Sequence, residues 1–295
     1  MLSTAALAAN STDLHLVVSH MLAGLGPGIH AGHERGGGVE FSEYRAYAPG
    51  DDWRQVDWKL TARADRYYVR EAERDSHVAV WLWLDATASM AEASHAIDGV
   101  DKLWFARAAL ACAAAVAQRQ GDAVGLALVV DGELRLIPAM RGTGQLRRIL
   151  AQLQRARPGG AAPDAGALIR RLHFARAPSL VLAVSDFLDA PNPQLDALVR
   201  LARMRHDVRV LCLQTRAERE LGFPLDRSYL DPEAPHLGYR LTAENRSVYR
   251  RNRDRHFADV LGQLRRAGIP TVSAAIEDPL GATLRNWLRP RRARS

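Results

Sequence analysis

A chain of 295 residues with 47% hydrophobic and 25% charged residues, 22 glycines and 14 prolines has globular proportions, which exclude collagen-like, low-complexity and wholly disordered chains. It is long enough to bury a core without disulfides, and its two cysteines, Cys112 and Cys212, lie in apolar segments, the usage of a reduced, cytoplasmic protein. The formal charge is +7, yet lysine occurs only at positions 59 and 102, and from residue 241 onward 12 arginines stand against 5 acids, so the whole surplus lies in the last 55 residues.

The Ala-rich start, 1–10, lacks the positive region and apolar stretch of a signal peptide and reads as a mature amino terminus. Residues 11–25 suit one helix; the apolar part, 14–25, is interrupted by His15 and His20 and is too short to span a membrane. A glycine-rich loop, 24–38, leads into a segment dense in charge and aromatics. There Pro49 and Gly50 suit the centre of a type II turn, Asp51 or Asp52 can cap a short helix carrying Trp53, Val56 and Trp58, and 67–69 reads as a strand. Residues 1–77 are expected to form one extension packed on the domain that follows.

From residue 78 short apolar runs alternate with helical periods. Strands are expected at 77–84, 123–130 (with 133–138 returning beside it), 179–184, 208–213 and 270–276. Helices are expected at 100–118, at 144–154 where Leu146, Ile149, Leu150 and Leu153 share a face, after Asp164, at 193–205, and around Phe257, Val260, Leu261 and Leu264. Residues 215–240 read as a loop. Strands alternating with helices predict a doubly wound α/β fold, a mainly parallel sheet covered on both faces, over 78–285, with a basic tail at 286–295.

Asp85, Thr87 and Ser89, followed by Met90, stand at the carboxyl end of the first strand of this region, where open α/β sheets bind ligands. Asp186 ends another strand and reaches the same crevice if the two strands are neighbours. Carboxylate and hydroxyl oxygens are what Mg²⁺ takes, with waters completing its shell. The alternative is that Asp85 and Asp186 only cap the helices that follow.

The spacing Asp85, Thr87, Ser89 with a distant Asp186 resembles the metal-ion-dependent adhesion site (MIDAS) of von Willebrand factor type A domains, DxSxS with a distant Thr and Asp. More specifically, 44–71 (YRAYAPGDDWRQVDWKLTARADRYYVRE), then WLDATASM, QGDAVGLALV and VSDFLD, is similar to the bacterial family called domain of unknown function 58. The resemblance covers roughly residues 30–285. It implies a Rossmann-like type A domain that binds a divalent ion, Mg²⁺ or Mn²⁺, and a protein partner whose acidic side chain completes the ion's coordination. It further implies that partner to be a MoxR-type AAA+ ATPase, in the maturation of other complexes. The sequence departs from the pattern twice. Thr87 replaces the first Ser and keeps the hydroxyl. The distant Thr, expected after a Gly-Gly pair, meets Gly159-Gly160-Ala161, and Asp164 is either its substitute or a helix cap.

Within the aromatic segment, Tyr47, Gly50, Asp51, Asp52, Trp53, Arg54, Asp57 and Trp58 form a motif for partner binding or structure. Its interleaved charges, with Lys59 and Arg63, read as an ion-pair lattice, the tryptophans supplying burial; the competing reading is a metal-dependent hydrolytic centre. The chain carries neither a GxxxxGK[ST] loop nor a GxGxxG fingerprint, and its six tryptophans read as core. The expectation is a non-enzymatic adaptor, with nucleic-acid binding through the arginine-rich carboxyl region or metal-dependent hydrolysis as alternatives.

Overall fold

The computed structural model describes residues 14–24, 43–47, 56, 58–61, 63, 67–71, 79–174, 177–234 and 236–289. The chain forms two compact units, one of Met1–Ala31 with Val78–Ser295, the other Gly32–His77. The expected 1–77 extension therefore divides, its first part belonging with the sheet.

In the larger unit, α1 (Leu14–Gly24) buries Leu14, Val17, Val18 and Met21 in a core shared with the central helix described below. The smaller unit contains an antiparallel pair, β1 (Glu43–Ala46) and β2 (Tyr68–Glu71), and the short α2 (Trp58–Thr61). Val56 is buried but sits in a β-bridge rather than in the expected helix, which starts only at Trp58. Trp58 is 58% exposed and meets Tyr67 edge-on, as Tyr47 does, so the expectation that every tryptophan is core fails there: ring contact replaces burial. Gly50, Asp51, Asp52, Trp53, Arg54 and Asp57 lie outside the described residues, and with them the turn, the cap and the ion-pair lattice.

The sheet of the larger unit follows the chain as β3 (Ala79–Asp85), β4 (Ala123–Val130), β5 (Glu133–Met140), β6 (Leu180–Ser185), β7 (Asp207–Gln214) and a final strand, Thr271–Ala275. All neighbours pair in parallel except β5, which returns antiparallel to β4 through a turn with positive φ at Asp131 and Gly132, the geometry that suits two-residue hairpin turns. In space the order is the final strand, then β7-β6-β3-β4-β5. The expected doubly wound, mainly parallel α/β fold is present.

The near-continuous apolar strands are explained by burial on both faces. In β3, Val80, Leu82 and Leu84 join a core with α1, α3 (Lys102–Arg119), α4 (Thr143–Arg155) and the last helix, Leu280–Trp287. Trp81 and Trp83 join a second core with α5 (Ala165–Arg170), α6 (Pro193–Arg203) and a long late helix. The alanines of α3 keep that helix thin enough to lie close to the sheet, and the nine residues from Leu103 to Cys112 other than Arg107 are almost fully buried. The Trp83 indole donates to Gln194 Oε1 of α6 at 2.9 Å, so this buried N–H is satisfied.

Between β7 and the final strand the structure corrects the expected loop at 215–240. It holds α7 (Arg216–Glu220), a hairpin of β8 (Arg227–Leu230) and β9 (Gly238–Leu241), and then α8 (Arg246–Arg266), before β10 (Thr271–Ala275) and α9 (Leu280–Trp287). No helix among the described residues is long and apolar enough to cross a membrane.

Candidate functional site at the switch between β3 and β6

The chain winds from β3 outward through β4 to β5, then returns to lay β6 on the other side of β3. The crevice beyond the carboxyl ends of these two strands is the topological switch point, where ligands bind in folds of this kind. Leu84 pairs with Val184, so Asp85 and the Ser185-Asp186 pair leave the sheet at the same height.

The expected residues meet there. Asp85 Oδ1 accepts from the Thr87 N–H at 2.9 Å and the Thr87 hydroxyl at 2.8 Å. Thr87 Oγ1 stands 3.2 Å from Ser89 Oγ, and the Ser89 hydroxyl donates to Asp186 Oδ1 at 3.3 Å. All four side chains are buried. The Ser185 hydroxyl donates to Asp85 Oδ2 at 2.6 Å and fixes the rotation of that carboxyl group. After Asp186 the backbone turns sharply: Phe187 has φ 52, its N–H bonds Ser185 Oγ, and its carbonyl lies 2.6 Å from His256 Nε2 of α8.

Lys102, the first residue of α3, has no exposed surface, and its ammonium donates to Asp186 Oδ2 at 2.6 Å and to Glu218 Oε1 at 2.8 Å. Burial alone would lower its pKa, but the Asp186 and Glu218 carboxylates outweigh that and raise it, so the side chain stays charged. Glu218 is held in turn by the capping box of α7, its Oε2 accepting the Thr215 N–H while its own N–H bonds Thr215 Oγ1. Lys102 was not anticipated from the sequence, although one signal was available. In a chain that uses arginine almost everywhere, a lysine at a helix start after Asp101 marks a place that takes a compact point charge and not a planar fork.

One ammonium does not balance the acids gathered here. Burial, then the charge of Asp186, push the Asp85 carboxyl up to about 6. Burial, and the charges of Glu233, Asp85 and Asp186, push Asp189 up to about 9. Neither Asp189 nor Glu233 was singled out from the sequence, because Glu233 comes from the segment read as loop.

The residues fit a small hard cation in one respect and depart from the adhesion-site pattern in two. Oxygens adjacent on an octahedral shell of about 2.1 Å radius stand about 3 Å apart, and the row Asp85 Oδ1, Thr87 Oγ1, Ser89 Oγ, Asp186 Oδ1 has spacings of 2.8, 3.2 and 3.3 Å. Among the described residues, no group of three or more His, Cys, Asp or Glu side chains is placed to hold a metal, so any ion here relies on the two hydroxyls. The first departure is that Asp186 Oδ2 is taken by Lys102. The second is the Gly159-Gly160-Ala161 loop. It lies against the Asp85–Ser89 turn, Gly159 N–H to Ala86 O at 3.0 Å and Ala88 N–H to Gly160 O at 2.8 Å, but carries alanine where the pattern has the hydroxyl. Asp164 is exposed and caps α5, accepting the Ala167 N–H at 2.9 Å, which is the cap reading and not the substitute ligand.

A family model described as "Protein of unknown function DUF58" matches residues 43–256. The chain belongs to that family. Its curated relatives include the uncharacterized proteins Mb1516 of Mycobacterium bovis and Rv1480 of Mycobacterium tuberculosis, each 28% identical over 287 residues, spanning 96% of this chain and 86% of theirs. Among solved structures it is similar to the conserved hypothetical protein BatB from Bacteroides thetaiotaomicron, at 14% identity and a TM-score of 0.44 over 70% of this chain and 93% of that one. It is also similar to the SpRpn10 VWA domain, at 11% identity and a TM-score of 0.41 over 70% and 93%. The mainly parallel sheet with helices on both faces in this DUF58 chain agrees with the expected doubly wound fold.

Proposed function

We propose that this DUF58 protein is a non-catalytic, cytoplasmic adaptor that holds Mg²⁺ or Mn²⁺ on Asp85, Thr87, Ser89 and Asp186 and binds a partner protein through it. The observation that supports this reading is the row of four buried oxygens at the switch point, spaced like neighbours on one octahedral shell. A bound divalent ion supplies a hard Lewis acid with vertices left for water or for a carboxylate from outside. The chain's own residues prepare the place. Ser185 orients Asp85, and Lys102 holds the outer oxygen of Asp186, which leaves Oδ1 on the row. The partner that family resemblance implies is a MoxR-type AAA+ ATPase, in the assembly or maturation of other proteins.

Calorimetric titration of Mg²⁺ or Mn²⁺ into chelator-treated protein tests the reading. It predicts single-site heat that Asp85→Ala abolishes. Absence of heat, or identical heat in the variant, removes the metal and leaves a scaffold.

A further inference from the structure

The arginine surplus found in the sequence is not absorbed by the metal row, and the structure shows where much of it goes. In the first ten residues of α8, 246–255, there are five arginines and one acid, and the first turn has no acidic residue. That placement opposes helix stability. Arg246 with Arg250 and Arg251 with Arg255 are like-charge i,i+4 pairs. Arg246 and Arg253 have a structural use, capping the carbonyls of Leu221, Glu218 and Arg219 around α7. Arg250, Arg251 and Arg255 have none. They are exposed and make no hydrogen bond or ion pair among the described residues.

Apolar groups accompany them. Val248 and Tyr249 on the same half-helix are 45% and 49% exposed, and Tyr239 on the hairpin that leads into it is 66% exposed. Further along, Phe257, Val260 and Leu264 are buried in the core, so α8 is anchored by one half and bare on the other. The bare half adjoins the metal row through two links: His256 reaches the carbonyl of Phe187, the residue after Asp186, and Arg253 holds α7, whose Glu218 shares Lys102 with Asp186.

We propose that the amino-proximal half of α8, with the β8–β9 hairpin that feeds it, docks an acidic polypeptide segment bearing interspersed apolar side chains, its carboxylates facing Arg250, Arg251 and Arg255. This extends the adaptor reading to the chemistry of the partner and rests on that reading for the partner being a protein. Charge complementarity selects a polyanion. The exposed Val248, Tyr249 and Tyr239 beside these arginines favour a polypeptide with apolar side chains over a nucleic acid, whose phosphate backbone offers none.

The test uses the full chain and three labelled probes followed by fluorescence: a peptide alternating glutamate with leucine and phenylalanine, a DNA duplex, and phosphatidylcholine vesicles containing phosphatidylserine. The expected result is salt-sensitive binding of the peptide, weakened roughly tenfold in Arg250→Glu/Arg251→Glu/Arg255→Glu and retained in Arg250→Lys/Arg251→Lys/Arg255→Lys. Because the Arg251/Arg255 pair carries like charges in parent and variant alike and all three side chains are exposed, the thermal midpoint of the glutamate variant should be little changed. The dependence on the arginines should hold in chelator as well as in Mn²⁺, whereas Asp85→Ala should remove only an increment that Mn²⁺ adds. An increment that never appears counts against the metal reading alone. Peptide binding indifferent to the arginine changes, or tighter binding of DNA or vesicles than of the peptide, overturns the proposal.

Discussion

Replacing Lys102 by methionine keeps most of the buried stem and removes the ammonium, which makes it the sharpest probe of how the switch-point carboxylates are held. The side chain has no exposed surface, and its two acceptors lie at 2.6 and 2.8 Å. Asp186 is 2% exposed and Glu218 14%, so Glu218 has a path to water when the ammonium goes and Asp186 has none. Breaking a buried pair from one side costs about 3–5 kcal/mol, and most of that should fall on Asp186. For a unit of this size the loss corresponds to a fall of roughly 6–20 °C in thermal midpoint, measured by calorimetry or circular dichroism in chelator. Adding Asp186→Asn should recover much of it, because the amide oxygen can still accept from Ser89 and Leu188, the partners of Oδ1, while the unpaired charge is gone. A single variant within about 1 kcal/mol of the parent, or a double variant less stable than the single, would refute the claim that Lys102 is the internal counter-ion of this site.

Two further outcomes follow from the same geometry. A carboxyl group whose pKa is raised on folding keeps its proton longer in the folded state, so metal-free protein should lose stability as pH rises from about 4 to about 6, the window in which Asp85, desolvated and beside the Asp186 charge, gives up its proton. Urea unfolding across that window should show a steeper decline for the parent than for Asp85→Asn, and equal slopes would contradict the assignment. Gly125→Ala in β4 places a Cβ 2.7 Å from Trp81 Cε3 and 3.0 Å from the Ala139 nitrogen, an overpacking expected to cost about 1–3 kcal/mol, which chemical denaturation can read.

The parts of this structure legible in the sequence were those governed by local period. The apolar runs of β3, β4, β6 and β7 are long because both faces are buried, and the Leu146, Ile149, Leu150, Leu153 spacing marks α4 through its one buried face. Asp85, Thr87 and Ser89 could be read because three successive odd positions after a strand have little freedom to point elsewhere. Lys102 and Glu218 could not. Their meeting depends on the start of α3 and the cap of α7 closing over the same strand tip, from positions 116 residues apart. The hairpin of β8 and β9 was missed because its strands are four residues long and mostly exposed, so neither carries the apolar alternation that betrays a strand.

The central claim is that the oxygens of Asp85, Thr87, Ser89 and Asp186 enclose one cation. Crystals grown with Mn²⁺ and measured for anomalous scattering test it directly. The account predicts a single strong peak bordered by those four side chains, with Lys102 still on the outer oxygen of Asp186, and no peak in Asp85→Ala. A peak elsewhere in the molecule, or the Lys102 ammonium lying between the Asp85 and Asp186 carboxylates with no peak beside it, would contradict it.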